Sequence, residues 1–166
     1  GNRIDLIEVK AKSFNPNTDS WMGKREKNSI SSTWREYLYD LAFQKYVVSL
    51  AMPDYEIHSY LMVADKSLVA DVDNLNQLFK ICEENDRTSI KVNSDVQKKL
   101  ASSKVEVLTA FPADDVVNAI INGTSGEQDE YLGKKKFKDF VKEMCDAWTN
   151  EKRIATDLSK KCFKCE

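Results

Sequence analysis

The stretch from Thr33 to Met52 restricts the fold more than any other part of the sequence. It opens on Thr33-Trp34-Arg35-Glu36, a capping box in which hydroxyl and carboxylate each satisfy a backbone N–H that has no partner inside the helix. It closes before Pro53, which has no N–H and cannot continue a helix. Phe43, Tyr46, Val47 and Leu50 mark an apolar stripe, widened by Trp34, Leu38, Leu41 and Ala42. So much apolar surface predicts a largely buried helix, and a buried helix needs other layers around it.

Those layers are predicted on both sides of it. Arg3-Ile4-Asp5-Leu6-Ile7-Glu8-Val9-Lys10 is rich in branched apolar residues and suits a strand of a covered sheet. Tyr55 to Ala64 is again β-rich. Strand, long helix, strand at the centre implies an α/β fold with a mixed central sheet flanked by helices. Between the first strand and the helix, residues 11–30 are polar and broken by Pro16 and Gly23, which predicts a long functional or mobile loop.

Further along, Ser67 to Val72 reads as a short partner strand, and Leu75 to Glu84 as a helix capped by Asp73 or Asn74. Ser89 to Val92 is extended, Ser94 caps a helix through Leu100, and Lys104 to Thr109 is a strand. Ala113 to Ile121 is helical and ends at Asn122-Gly123. Phe137, Phe140, Val141, Met144 and Trp148 give helical spacing over 134–149, and a polar tail follows. The expectation is one domain, with a core over about 3–122, a C-terminal helical segment and a cysteine-containing tail.

Composition removes several classes. At 166 residues and 42% hydrophobic the chain is long and apolar enough for a real core, not a disordered segment. No apolar run is long enough to span a bilayer, which predicts no membrane partner. Four cysteines in a chain of this size do not suggest a secreted disulfide scaffold, so a reducing, cytoplasmic location is expected. The net charge of -2 neither announces nor excludes nucleic-acid binding, which depends on local patches.

Chemistry concentrates at Glu8 and Lys10. Residues two apart on a strand share a face, so a carboxylate and an ammonium stand side by side. Glu8 offers the oxygen ligation that a hard divalent cation prefers. Lys10 can orient or help deprotonate an attacking water and offset phosphate charge. The plainer role for the same pair is a same-face ion pair on a solvated strand.

The run Ile4-Asp5-Leu6-Ile7-Glu8-Val9-Lys10-Ala11-Lys12-Ser13, followed by Asp40-Leu41-Ala42-Phe43-Gln44-Lys45-Tyr46-Val47, resembles the E-x-K strand and glutamine helix of the RecB-like branch of the PD-(D/E)XK nucleases. The likeness is to bacterial relatives of the CRISPR-associated RecB-like exonucleases, and it covers roughly residues 3–65. It implies a restriction-endonuclease-like core and metal-dependent DNA cleavage with Mg²⁺ or Mn²⁺. By this resemblance Glu8 is the metal-binding acid, the Val9 carbonyl a backbone metal ligand, Lys10 the catalytic lysine and Gln44 the helix glutamine. Tyr46 falls near the family tyrosine, but many members have Q-x-x-x-Y where this chain has Gln44-Lys45-Tyr46. The family also uses an aspartate on the strand before E-x-K, and that strand is absent here. Asp5 points to the opposite face from Glu8. The expectation is therefore an N-terminally truncated nuclease core that binds metal poorly and cuts little, or a non-catalytic nucleic-acid-binding or scaffold domain that keeps the fold. Oligomeric state stays open.

Cys162-Phe163-Lys164-Cys165 has the spacing of two zinc or iron–sulfur ligands. Its place at the chain end is similar to the C-terminal cysteines with which some RecB-like nucleases hold a 4Fe–4S cluster, which implies such a cofactor in a longer protein. Lys10, Lys12, Lys24, Arg25, Lys27 and Arg35 surround the long loop as a candidate phosphate rim, with Trp21 able to stack on a base; a solvated, mobile loop is the plainer reading. Cys82 and Cys145 read as structural. His58, the one histidine, has no obvious partner in sequence.

Overall fold

A computed structural model describes residues 2–23, 29–84, 87–124 and 135–154. The chain divides into two compact units, Gly1–Trp21 with Val48–Asp114, and Met22–Val47 with Asp115–Glu166.

The first unit is built on a three-stranded mixed sheet of order β1-β2-β5. Strand β1 (Arg3–Phe14) lies parallel to β2 (Glu56–Asp65), and β2 lies antiparallel to β5 (Leu108–Pro112). Branched and aromatic residues alternate along β2, so Ile57, Ser59, Leu61 and Val63 are all buried while their neighbours are not. The register sets Ile4 beside Ile57, Leu6 beside Ser59 and Glu8 beside Leu61, and Leu61 in turn beside Phe111. Glu8 thus belongs to the more buried face of β1, while Ile7 and Val9 on the other face are exposed. Phe14 closes this strand in a cluster with Trp21 and Phe111, at ring-centroid distances of 4.2 and 4.8 Å.

Beside the sheet in sequence stands a two-stranded antiparallel ribbon, β3 (Phe79–Glu84) with β4 (Arg87–Val92), preceded by a 3-10 turn at Leu75–Gln77. Here the sequence expectation of a helix over 75–84 fails. Leu75, Leu78, Phe79 and Cys82 fit a helical period, but Phe79 and Ile81 also alternate, and they find partners in Val92 and Ile90. Asn74 takes a left-handed φ of 57° and turns the chain instead of capping an α-helix. The expected strand over 67–72 is absent. The last strand starts at Leu108 rather than Lys104, because Asp71 accepts from the Ser103 hydroxyl at 2.5 Å and the Lys104 N–H at 2.8 Å and holds that segment as a loop. Helix α2 (Val96–Ser102) follows the ribbon.

Helices dominate the second unit. Helix α1 (Arg35–Ala51) ends before Pro53 as expected, α3 (Asp114–Asn122) ends at Gly123 with φ of 68°, and α4 (Phe137–Thr149) follows. Glycine adopts that φ at no steric cost, which suits it to end the helix there. Tyr39 and Tyr46 of α1 both meet Phe137 of α4, at 6.3 and 6.1 Å between ring centroids. Only part of the expected apolar face of α1 is buried. Leu38, Leu41 and Ala42, expected to widen the stripe, are buried with Tyr39 and Lys45, whereas Phe43, Val47 and Leu50 are exposed, Leu50 by 66%. Both sets have helical spacing, so periodicity could not narrow the face further.

The chain is therefore mixed α/β with a mixed sheet and helices. No described helix is long and apolar enough to cross a membrane.

Candidate functional site

Strand β1 brings Glu8 and Lys10 together. Lys10 Nζ lies 2.8 Å from a Glu8 carboxylate oxygen, and both side chains are about three-quarters buried, with exposures of 24% for Glu8 and 21% for Lys10. The alternation that places them on one face then breaks. Val9 pairs with Met62 and the next paired residue, Ser13, with Ala64, so Lys10, Ala11 and Lys12 stand against Val63 alone. Such an irregularity bends a strand and re-aims its side chains, and irregularities of this kind gather beside active sites. Nothing in the spacing of the sequence predicts it, because extra residues in a strand leave the apolar pattern intact.

Gln44 and Tyr46 belong to the other unit. Gln44 is half-buried and its side-chain amide donates to the Asp40 carboxylate at 3.3 Å, one turn earlier on α1. Tyr46 packs its ring on Phe137, and Lys138 Nζ sits 5.9 Å from the ring centroid, within cation–π range. Lys45, between the two, is buried at 8% exposure. Sequence reading passed over it, since a lysine is rarely buried and nothing local marks this one.

Among the basic rim residues, Lys24, Arg25 and Lys27 lie outside the described residues, as do Cys162 and Cys165. Trp21 is stacked on Phe14 and donates its indole N–H to the Pro112 carbonyl at 2.9 Å, so its ring is already used in packing. Cys82 lies on β3, half-buried, and not in a helix; Cys145 is exposed on α4, where a structural position was expected.

His58 has partners that the sequence did not reveal. Its Nδ1 lies 2.9 Å from Asp114 Oδ2 and its Nε2 lies 3.3 Å from Glu56 Oε1. The other Asp114 oxygen accepts from the Ser59 backbone N–H at 2.9 Å and the Ser59 hydroxyl at 2.7 Å. Asp114 is 56 residues from His58, so only the pairing of β5 with β2 brings them together.

The donors at β1 suit a hard cation in kind, a carboxylate at Glu8 and a carbonyl at Val9. They fall short in number: among the described residues no three His, Cys, Asp or Glu side chains are gathered to hold a metal ion. No protein family, curated protein or solved structure matches the chain.

Proposed function

We propose that this chain carries the metal-dependent DNA phosphodiester hydrolysis of a PD-(D/E)XK nuclease of the RecB-like branch. The observation that carries the reading is the largely buried Glu8–Lys10 pair on one face of β1, directly before the strand loses its register. A strand–helix–strand order in which β1 and β2 run parallel with α1 between them supports it.

In this reading the Glu8 carboxylate and the Val9 carbonyl would hold Mg²⁺ or Mn²⁺, which neutralises phosphate charge when bound. The remaining donors would come from water. Lys10 would orient the attacking water and offset charge on the phosphate. The resemblance would assign Gln44 and Tyr46, in the second unit, to DNA contact.

The 2.8 Å ion pair is also the geometry of a purely structural contact. It favours a second reading, a non-catalytic nucleic-acid-binding or scaffold domain with the same fold. Mn²⁺-dependent cleavage of single- and double-stranded DNA by the protein, beside Lys10→Ala, decides between them. Loss of cleavage by about 100-fold or more in the variant, the scale of a positioned proton-transfer group, supports the nuclease. A folded, Mn²⁺-loaded protein that cuts neither substrate establishes the scaffold reading.

A further inference from the structure

We infer that the outer edge of β4 is a docking edge for a second copy of this chain, whose own β4 adds to it antiparallel with Ile90 opposite Ile90, so that two ribbons become one four-stranded sheet.

The need for a partner comes from the ribbon. Among the described residues, β3 and β4 pair only with each other. A two-stranded ribbon is marginal in water, and three or more strands with an apolar face are the usual minimum. The ribbon already has such a face. Phe79 opposes Val92 and Ile81 opposes Ile90, so these four side chains stand on one side. All are open to solvent, Ile81 by 78% and Ile90 by 64%.

The ladder shows which backbone groups are left over. The Asn93 N–H donates to the Leu78 carbonyl at 2.9 Å, so these two form a hydrogen-bonded pair. Bonded and non-bonded pairs alternate along an antiparallel ladder. Lys80 with Lys91, Cys82 with Ser89 and Glu84 with Arg87 are then the bonded pairs. Thr88, Ile90 and Val92 turn their N–H and C=O groups away from β3, to an edge that no other described strand covers. A row of such groups is a template for another strand.

Pattern and charge select both the occupant and its register. Directly opposed residues share a face, so a self-pairing must centre on a residue, not between two, to keep the apolar side chains together. Centring on Ser89 sets Arg87 opposite Lys91 of the partner subunit, and centring on Lys91 sets two lysines face to face. Centring on Ile90 opposes no like charges: Ile90 meets Ile90, Thr88 meets Val92 and Ser89 meets Lys91. Each Lys91 is already paired with Glu84 of its own ribbon at 2.5 Å. The two Lys91 residues fall on a diagonal, about 7–8 Å apart. In this register the outward groups of Thr88, Ile90 and Val92 meet donor to acceptor, and the two apolar faces run on into one. The outer edge of β3 is a poorer match, because centring on Ile81 sets Glu83 against Phe79 and centring on Cys82 sets it against Ile81.

Sedimentation velocity of the whole chain, in reductant to exclude disulfide-linked dimers, should show a monomer–dimer equilibrium between micromolar and millimolar concentration. Amide exchange followed by NMR should show the Thr88, Ile90 and Val92 amides slowing as the dimer fills, while those of Phe79 and Ile81 on the outer edge of β3 do not. Ile90→Lys brings two ammonium groups together on the two-fold axis and should weaken association by about tenfold or more, since like charges directly opposed are destabilising. Ile81→Lys, on the same face but one strand away from the axis, should change it by less than about threefold. Far-UV circular dichroism checks that both variants fold. A chain that stays monomeric at millimolar concentration overturns the inference. So does a dimer whose Thr88, Ile90 and Val92 amides exchange as fast as in the monomer. Equal weakening by Ile81→Lys and Ile90→Lys also overturns it, and marks face-to-face packing of the ribbons instead.

Discussion

Replacing Asp114 tests whether one carboxylate holds the β2–β5 corner. In the folded chain its Oδ1 accepts from the Ser59 N–H and hydroxyl, and its Oδ2 meets His58. Ser59 has no exposed surface, so Asp114→Ala leaves a buried hydroxyl and a buried N–H without this acceptor. Each such loss costs about 1–3 kcal/mol. The side chain of Asp114 is 29% exposed, and water can enter part of the space it vacates, which places the total near 3 kcal/mol rather than at the upper end. Ser59→Ala removes only the hydroxyl and should cost about 1 kcal/mol. The double variant should be little worse than Asp114→Ala alone, because the hydroxyl has already lost its acceptor; this leaves a coupling of about 1 kcal/mol. Urea unfolding followed by far-UV circular dichroism reads all three. A double variant whose loss equals the sum of the singles, or an Asp114→Ala chain within 0.5 kcal/mol or so of the parent, refutes the reasoning.

Leu61 is fully buried on the central strand between Glu8 and Phe111, so Leu61→Ala should lower unfolding free energy by about 3 kcal/mol, read as a shift in urea midpoint. The Ser103 hydroxyl first, and the Lys104 N–H second, hold the Asp71 carboxyl below its ordinary value of 3.8. Its folded value is depressed, so any stability it adds is present above the ordinary value and is lost as pH falls through the folded one. A side-chain NMR titration should show Asp71 moving up towards the ordinary value in Ser103→Ala; an unchanged titration refutes the assignment of the hydroxyl as the main cause.

Much of the framework was legible in the order of residues. Pro53 and Gly123 end their helices through backbone chemistry alone, and both ends fall where expected. The alternation of β2 and the same-face placement of Glu8 and Lys10 follow from the two-residue period of a strand. Local rules suffice there because each effect acts within a few residues. They failed over 75–84, where Leu75, Leu78, Phe79 and Cys82 fit a helical period while Phe79 and Ile81 fit a strand period, and the partner strand decides. They held only in part on α1, where the widening residues Leu38, Leu41 and Ala42 are buried but Phe43, Val47 and Leu50 of the same expected face are exposed.

At the candidate sites the division is the same. The sequence by itself determined that β1 carries a carboxylate and a lysine on one face, because side-chain direction along a strand is a local property. Only the tertiary structure decided that register is lost directly after Val9, since that is a relation between two strands. Only tertiary structure, too, joined His58 to Asp114 and Asp114 to Ser59. Those contacts span more than fifty positions, and hydrogen bonds of about 3 Å depend on how strands pair, which no local pattern encodes.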